Sequence, residues 1–160
     1  MSDKLSIKDV KANAKRFMQE KDYESALKNW MYINKNNEFL DPSIFYNMAK
    51  CYEHLDLIAD AAKLYKQAIT TMVENKELLE SKLFLETLLA LGKAQKYNKN
   101  YTSAIEAYTS FFDFEAKNTV EVPEETLEYV RSKIKECNED IEALTKGKNV
   151  PNDYNSTNSK

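Results

Sequence analysis

Cys51, Cys137 and His54 are the residues whose side chains could supply a nucleophile, a general base or a soft metal ligand. Their placement supports none of these. Neither cysteine has a partner at Cys-x-x-Cys spacing, and a single histidine cannot complete a zinc site. No recognisable motif sets a cysteine or serine beside His54, so nucleophilic catalysis would rest on chance proximity. Cys51, between Ala49 and Tyr52, reads as a small packing residue rather than a reactive thiol. Gly92 and Gly147 are the only glycines, and neither belongs to a phosphate-cradling loop. The chain reads as a non-enzyme that needs no cofactor and no metal.

Charge is the remaining chemistry. Against 23 Lys and Arg stand 26 Asp and Glu, for a net charge of −3 and a pI near 5.4. This balance argues against a protein that coats nucleic acid by neutralising phosphates. The first ten residues, MSDKLSIKDV, lack the apolar core of a signal peptide, and no run reaches the roughly 18 apolar residues of a membrane helix. The expectation is a protein of the reducing cytoplasm with no membrane insertion.

With 2 Gly, 3 Pro and 42% apolar residues, the chain lacks the punctuation that many strands and tight turns require, and an all-helical fold follows. Residues 42–69 hold two helix-period patterns back to back, with Ala49 facing Ala61 across a turn and Phe45, Tyr52 and Tyr65 flanking them. The surroundings of Ala61 recur at Ala26 and Ala104, 35 residues before and 43 after. A recurrence of this length marks stacked supersecondary units.

The chain in order gives a helix from Ile7 with the stripe Val10, Ala14, Phe17 and Met18, then a second carrying Ala26, Leu27, Trp30 and Ile33. Asp41 is placed as N-cap before Pro42, whose missing N–H costs nothing at the first helical position. Helices three to six follow. The nine residues in excess of a regular period should lengthen the helices on either side of the turn, since this segment contains no Gly or Pro. Pro123-Glu124-Glu125 opens a last helix with the seam Leu127, Val130, Ile134, Cys137, Ile141 and Leu144, which suits a lid over the exposed end of the array. A coiled-coil dimer uses the same spacing. Gly147 should end this helix, and residues 147–160 have almost nothing to bury, so a disordered polar tail is expected.

At these residues the sequence resembles the tetratricopeptide repeat, a 34-residue antiparallel helix pair. With the repeats starting at Ile7, Pro42 and Leu85, the small residue of the first helix is Ala14, Ala49 and Gly92. The alanine of the second helix is Ala26, Ala61 and Ala104, and its aromatic is Trp30, Tyr65 and Tyr108. Two helices touching along their length need Ala or Gly at the crossing, with large side chains filling the space around it. Asn13 and Gln95 depart from usually apolar sites, and the Pro that commonly ends a repeat is missing. The resemblance implies a right-handed α-solenoid of three helix pairs (about 7–40, 42–75 and 85–118) with a capping helix (about 123–146), all in one domain spanning 1–146.

It also implies a concave surface lined by the first helix of every repeat. Lysine stands at the same position of each, as Lys15, Lys50 and Lys93, joined by Lys8, Lys11 and Lys96 and by Tyr46, Asn47 and Tyr97 as peptide-binding candidates. Lysines stacked on neighbouring helices repel one another, and an anion relieves that repulsion. In the family's chaperone-binding subgroup a clamp of Lys, Asn, Asn, Lys and Lys or Arg holds a C-terminal carboxylate. Lys11 and Asn47 match two of its members, whereas Lys15 replaces the first Asn and Glu86 and Ala90 replace the basic pair of repeat three. The expected activity is that of an adaptor, scaffold or co-chaperone gripping an acidic or C-terminal extended segment of a partner protein. The alternatives are a dedicated client chaperone resembling type III secretion translocator chaperones, and a subunit that self-associates through the last helix. A monomer is expected unless that helix dimerises.

Overall fold

The computed structural model describes residues 5–157, with side chains described to residue 147. The helices run in order α1 (Ile7–Gln19), α2 (Tyr23–Asn36), α3 (Pro42–His54), α4 (Ile58–Glu74), α5 (Ser81–Tyr97), α6 (Tyr101–Asn118) and α7 (Glu124–Thr157). Each packs on the one before it, so three helical hairpins stack into an all-α solenoid closed at one end by α7.

The crossings are where small residues were expected. Ala14, Ala26, Ala49, Ala61 and Ala104 are fully buried, as are the aromatics Trp30, Tyr65 and Tyr108. At Gly92 even a methyl group is too much, because a Cβ built there falls 2.6 Å from Cζ of Tyr108. The apolar residues form a continuous series: one cluster joins Val10, Trp30 and Ile33 to Ile44 and Met48. A second holds Ala49, Tyr65 and Leu91, and a third joins Phe45 and Met72 to Phe84, Phe111, Val130 and Cys137.

Asp41 caps α3 as its sequence implies: its carboxylate accepts from the Ser43 N–H at 2.9 Å and from the Ser43 hydroxyl at 2.6 Å, with Pro42 in the first turn. Replacing Asp41 by Ala is expected to cost about 1 kcal/mol. A urea titration followed by circular dichroism measures it, and an unchanged midpoint would mean that Ser43 alone holds this helix start.

The extra residues between repeats two and three lengthen the helices, as expected. α4 and α5 have 17 residues each where α1 and α3 have 13, and a single 3-10 turn, Lys76–Leu78, joins them. Helix α5 therefore starts at Ser81, a turn ahead of the repeat start placed at Leu85.

All three hairpin turns share a conformation that no glycine announces. Lys21, Asp56 and Lys99 are left-handed, with φ of 61°, 60° and 64°. In each turn the next residue's N–H bonds back five residues (Asp22 to Phe17, Leu57 to Tyr52, Asn100 to Gln95), which satisfies the orphan carbonyls at the end of the first helix.

The last helix differs from expectation at its far end. It does not stop at Gly147 but continues to Thr157, and Gly147 has helical backbone instead of the left-handed conformation of a C-terminal cap. The polar tail placed at 147–160 thus has a helical backbone as far as it is described, and residues 158–160 lie outside the described residues. The seam of α7 covers repeat three as a lid would: Val130 and Cys137 are fully buried, and Leu127 and Ile134 pack on the same cluster. Only its last member, Leu144, is left largely uncovered, at 56% exposed.

Candidate functional site

The residues expected to line the groove fall on α1, α3 and α5, the first helices of the three pairs. Lys8, Lys11 and Lys15 lie on α1, and among the described residues none of them forms an ion pair. At the centre the charge is compensated. The Lys50 ammonium stands 3.8 Å from the Glu53 carboxylate and over the Tyr46 ring, which packs at a tilt against Tyr65. Burial pushes the Tyr46 phenol up to about 12, with Glu86 and Glu53 adding to it. Asn47 spends one amide hydrogen on the Ser43 carbonyl of its own helix, leaving its oxygen to accept from a ligand.

The positive charge gathers again at the C-terminal end. Lys93, Lys96 and Tyr97 of α5 line one cavity of about 240 Å³ together with Tyr108 of α6 and Tyr129 and Lys133 of α7. Lys93 and Lys133 stand over the same Tyr129 ring, at 5.2 and 5.3 Å from its centroid. Lys96 pairs with Glu136 at 2.9 Å, and Lys133 meets the same carboxylate at 3.0 Å. These two hydrogen bonds hold the Glu136 carboxyl below its usual range, and the first of them raises Lys96. Tyr97 reaches back across the repeats, its hydroxyl 3.4 Å from Asp56. The structure thus brings Lys93, Lys96 and Tyr97 together and adds Lys133 and Tyr129, which repeat-based reasoning missed because they lie outside the repeats.

In repeats one and two the polar atom of the second-helix aromatic finds a partner twelve residues upstream. Trp30 donates its indole N–H to the Met18 sulfur at 3.2 Å, and the Tyr65 hydroxyl donates to Glu53. In repeat three the corresponding position is Lys96, and the Tyr108 hydroxyl, although buried, has no hydrogen-bond partner among the described residues. Burial pushes this phenol up, reinforced by Tyr129, Cys137 and Glu136 of α7.

The two cysteines are buried: Cys137 lies in the cluster that holds Tyr108. Cys51 is fully buried and burial pushes its thiol up to about 11, which suppresses the thiolate. His54 is exposed and stacks on Tyr23, with ring centroids 4.1 Å apart.

No family model and no curated protein matches the sequence. Among solved structures the chain is similar to the TPR2B domain of yeast Sti1, determined as a pHsp70 complex, with TM-score 0.64 and 17% identity over 83% of this chain and 96% of that one. It is similar also to the first TPR domain of Spaghetti (RPAP3) bound to the HSP90 peptide SRMEEVD, with TM-score 0.63 and 14% identity over 84% and 92% of the two chains. PcrH from Pseudomonas aeruginosa aligns with TM-score 0.57 and 14% identity over 89% and 96%. The chain has the tetratricopeptide-repeat fold.

Proposed function

We propose that this chain is a non-catalytic protein-interaction module that binds an acidic, extended or C-terminal segment of a partner protein along α1, α3 and α5. The observation that carries this reading is the lysine at one repeat position on all three of these helices, Lys15, Lys50 and Lys93. Lys8, Lys11 and Lys96 supply further charge, Asn47 a backbone-bonding amide, and Tyr46 and Tyr97 amphipathic contact. The peptide on the RPAP3 domain, SRMEEVD, carries three acidic side chains, which fits a ligand of this chemistry. No described helix is long and apolar enough to cross a membrane, and Cys51 and Cys137 are free thiols, in keeping with a reducing, cytoplasmic setting.

A fluorescently labelled octaglutamate peptide titrated with the full chain tests the reading. Exposed charge pairs contribute roughly 0.2–1 kcal/mol each, and reversal turns attraction into repulsion, so Lys50→Glu combined with Lys93→Glu is expected to weaken binding about tenfold. The wild-type affinity should also fall steeply as salt is raised. Equal affinity of wild type and double variant would rule the groove out.

A further inference from the structure

The cavity between α5, α6 and α7 contains a hydrogen-bond donor with nothing to donate to. Tyr108 is fully buried, its ring edge pressed on the Gly92 backbone, and its hydroxyl is the one part of it that calls for a polar partner. The residue at the equivalent repeat position accounts for this. Glu53 accepts the Tyr65 hydrogen, but the residue in its place below Tyr108 is Lys96, and an ammonium has three donors and no acceptor. Leaving a buried hydroxyl unsatisfied forfeits the hydrogen bond it would make in water.

The surroundings specify what would satisfy it. Lys93, Lys96 and Lys133 bring three positive charges to the wall, and Glu136, bonded to Lys96 and Lys133, returns one negative charge. The site therefore keeps an excess of cations around an O–H that needs an acceptor. A cavity of about 240 Å³ exceeds the roughly 30 Å³ share of one water several-fold, enough for an acidic side-chain head.

We propose that this cavity takes a carboxylate of the partner's acidic segment, which accepts hydrogen bonds from the Tyr108 hydroxyl and from the Lys96 and Lys133 ammonium groups, with Tyr97 and Tyr129 against its methylene stem. The proposal rests on the acidic-ligand reading above and extends it to a place outside the groove positions of repeats one and two. Its selectivity is for an acidic side chain, because a neutral amide in the same place cannot compensate three lysines.

Tyr108→Phe is the diagnostic variant, since it removes only the oxygen. The free variant should melt at the wild-type temperature or above it, because an unpartnered hydroxyl is lost. Its affinity for octaglutamate should fall about tenfold, the size of a lost hydrogen bond to a charged group. Lys133→Gln should weaken octaglutamate binding in the same direction, and glutarate should raise the melting temperature of the wild type more than that of Tyr108→Phe. Lys15→Glu with Lys50→Glu probes the groove alone. If that pair weakens binding and Tyr108→Phe does not, the groove stands and the cavity proposal falls; the reverse pattern keeps the cavity and removes the groove. A free Tyr108→Phe protein less stable than wild type overturns the proposal, since the hydroxyl would then already have an acceptor. So does a wild-type chain that responds to neither glutarate nor octaglutamate.

Discussion

Trp30→Ala is expected to lower the stability of the chain by about 3–5 kcal/mol, the usual cost of emptying a buried tryptophan site. Trp30 is fully buried and belongs to the cluster that joins repeat one to Ile44 and Met48 of α3. Removing it opens a cavity against both neighbours and leaves Met18 without the indole N–H. At about 2–4 °C per kcal/mol for a chain of this size, the melting temperature should fall by about 10 °C. Because the repeats are coupled through their interfaces, the loss should appear in one part of the array first: α1 and α2 should melt ahead of α3–α7, broadening the transition seen by circular dichroism. A sharp transition shifted by less than a degree or two would mean that the Trp30 pocket collapses without cost.

Gly92→Leu should be at least as damaging, for the opposite reason. A Cβ alone would lie within 2.8 Å of three Tyr108 ring atoms, and Tyr108 is itself fully buried between α5 and α7. Forcing a branched side chain into that contact separates α5 from α6 and costs about 3 kcal/mol or more, which overwhelms the gain of up to about 1 kcal/mol from replacing glycine in a helix. Gly147→Ala is the control: nothing lies within 4 Å of the new methyl group, so it should be neutral or slightly stabilising. Parallel urea titrations of the two variants separate crowding from propensity. If Gly92→Leu and Gly147→Ala behaved alike, the close approach of α5 to Tyr108 would be wrong.

Why so much of the architecture could be read from residue order is visible in these two positions. Close helix crossings admit only Ala or Gly, and Ala14, Ala49, Gly92, Ala26, Ala61 and Ala104 announce them without reference to anything distant. Asp41-Pro42 marks a helix start by local chemistry alone. The left-handed residues Lys21, Asp56 and Lys99 were hidden because the usual glycine signal is missing there, and the demand comes from the hairpin rather than from the residue. The groove was legible only as a list of positions. That Glu53 compensates Lys50 and accepts from Tyr65, and that Glu136 of α7 pairs with Lys96, depend on which elements meet in space. No periodicity encodes such meetings. The end of α7 misled for a further reason: Gly147 stops a helix only where the chain turns back, and here nothing asks it to.

Consecutive packing also has a kinetic side. Among the described residues every helix packs chiefly on the one made just before it, so short loops close first. Such a chain folds fast and can fold from its first repeat onward while synthesis continues. The exception is the end of the array. Tyr108 and Phe111 share their buried cluster with Val130 and Cys137, so this part of repeat three completes its core only when α7 packs onto it.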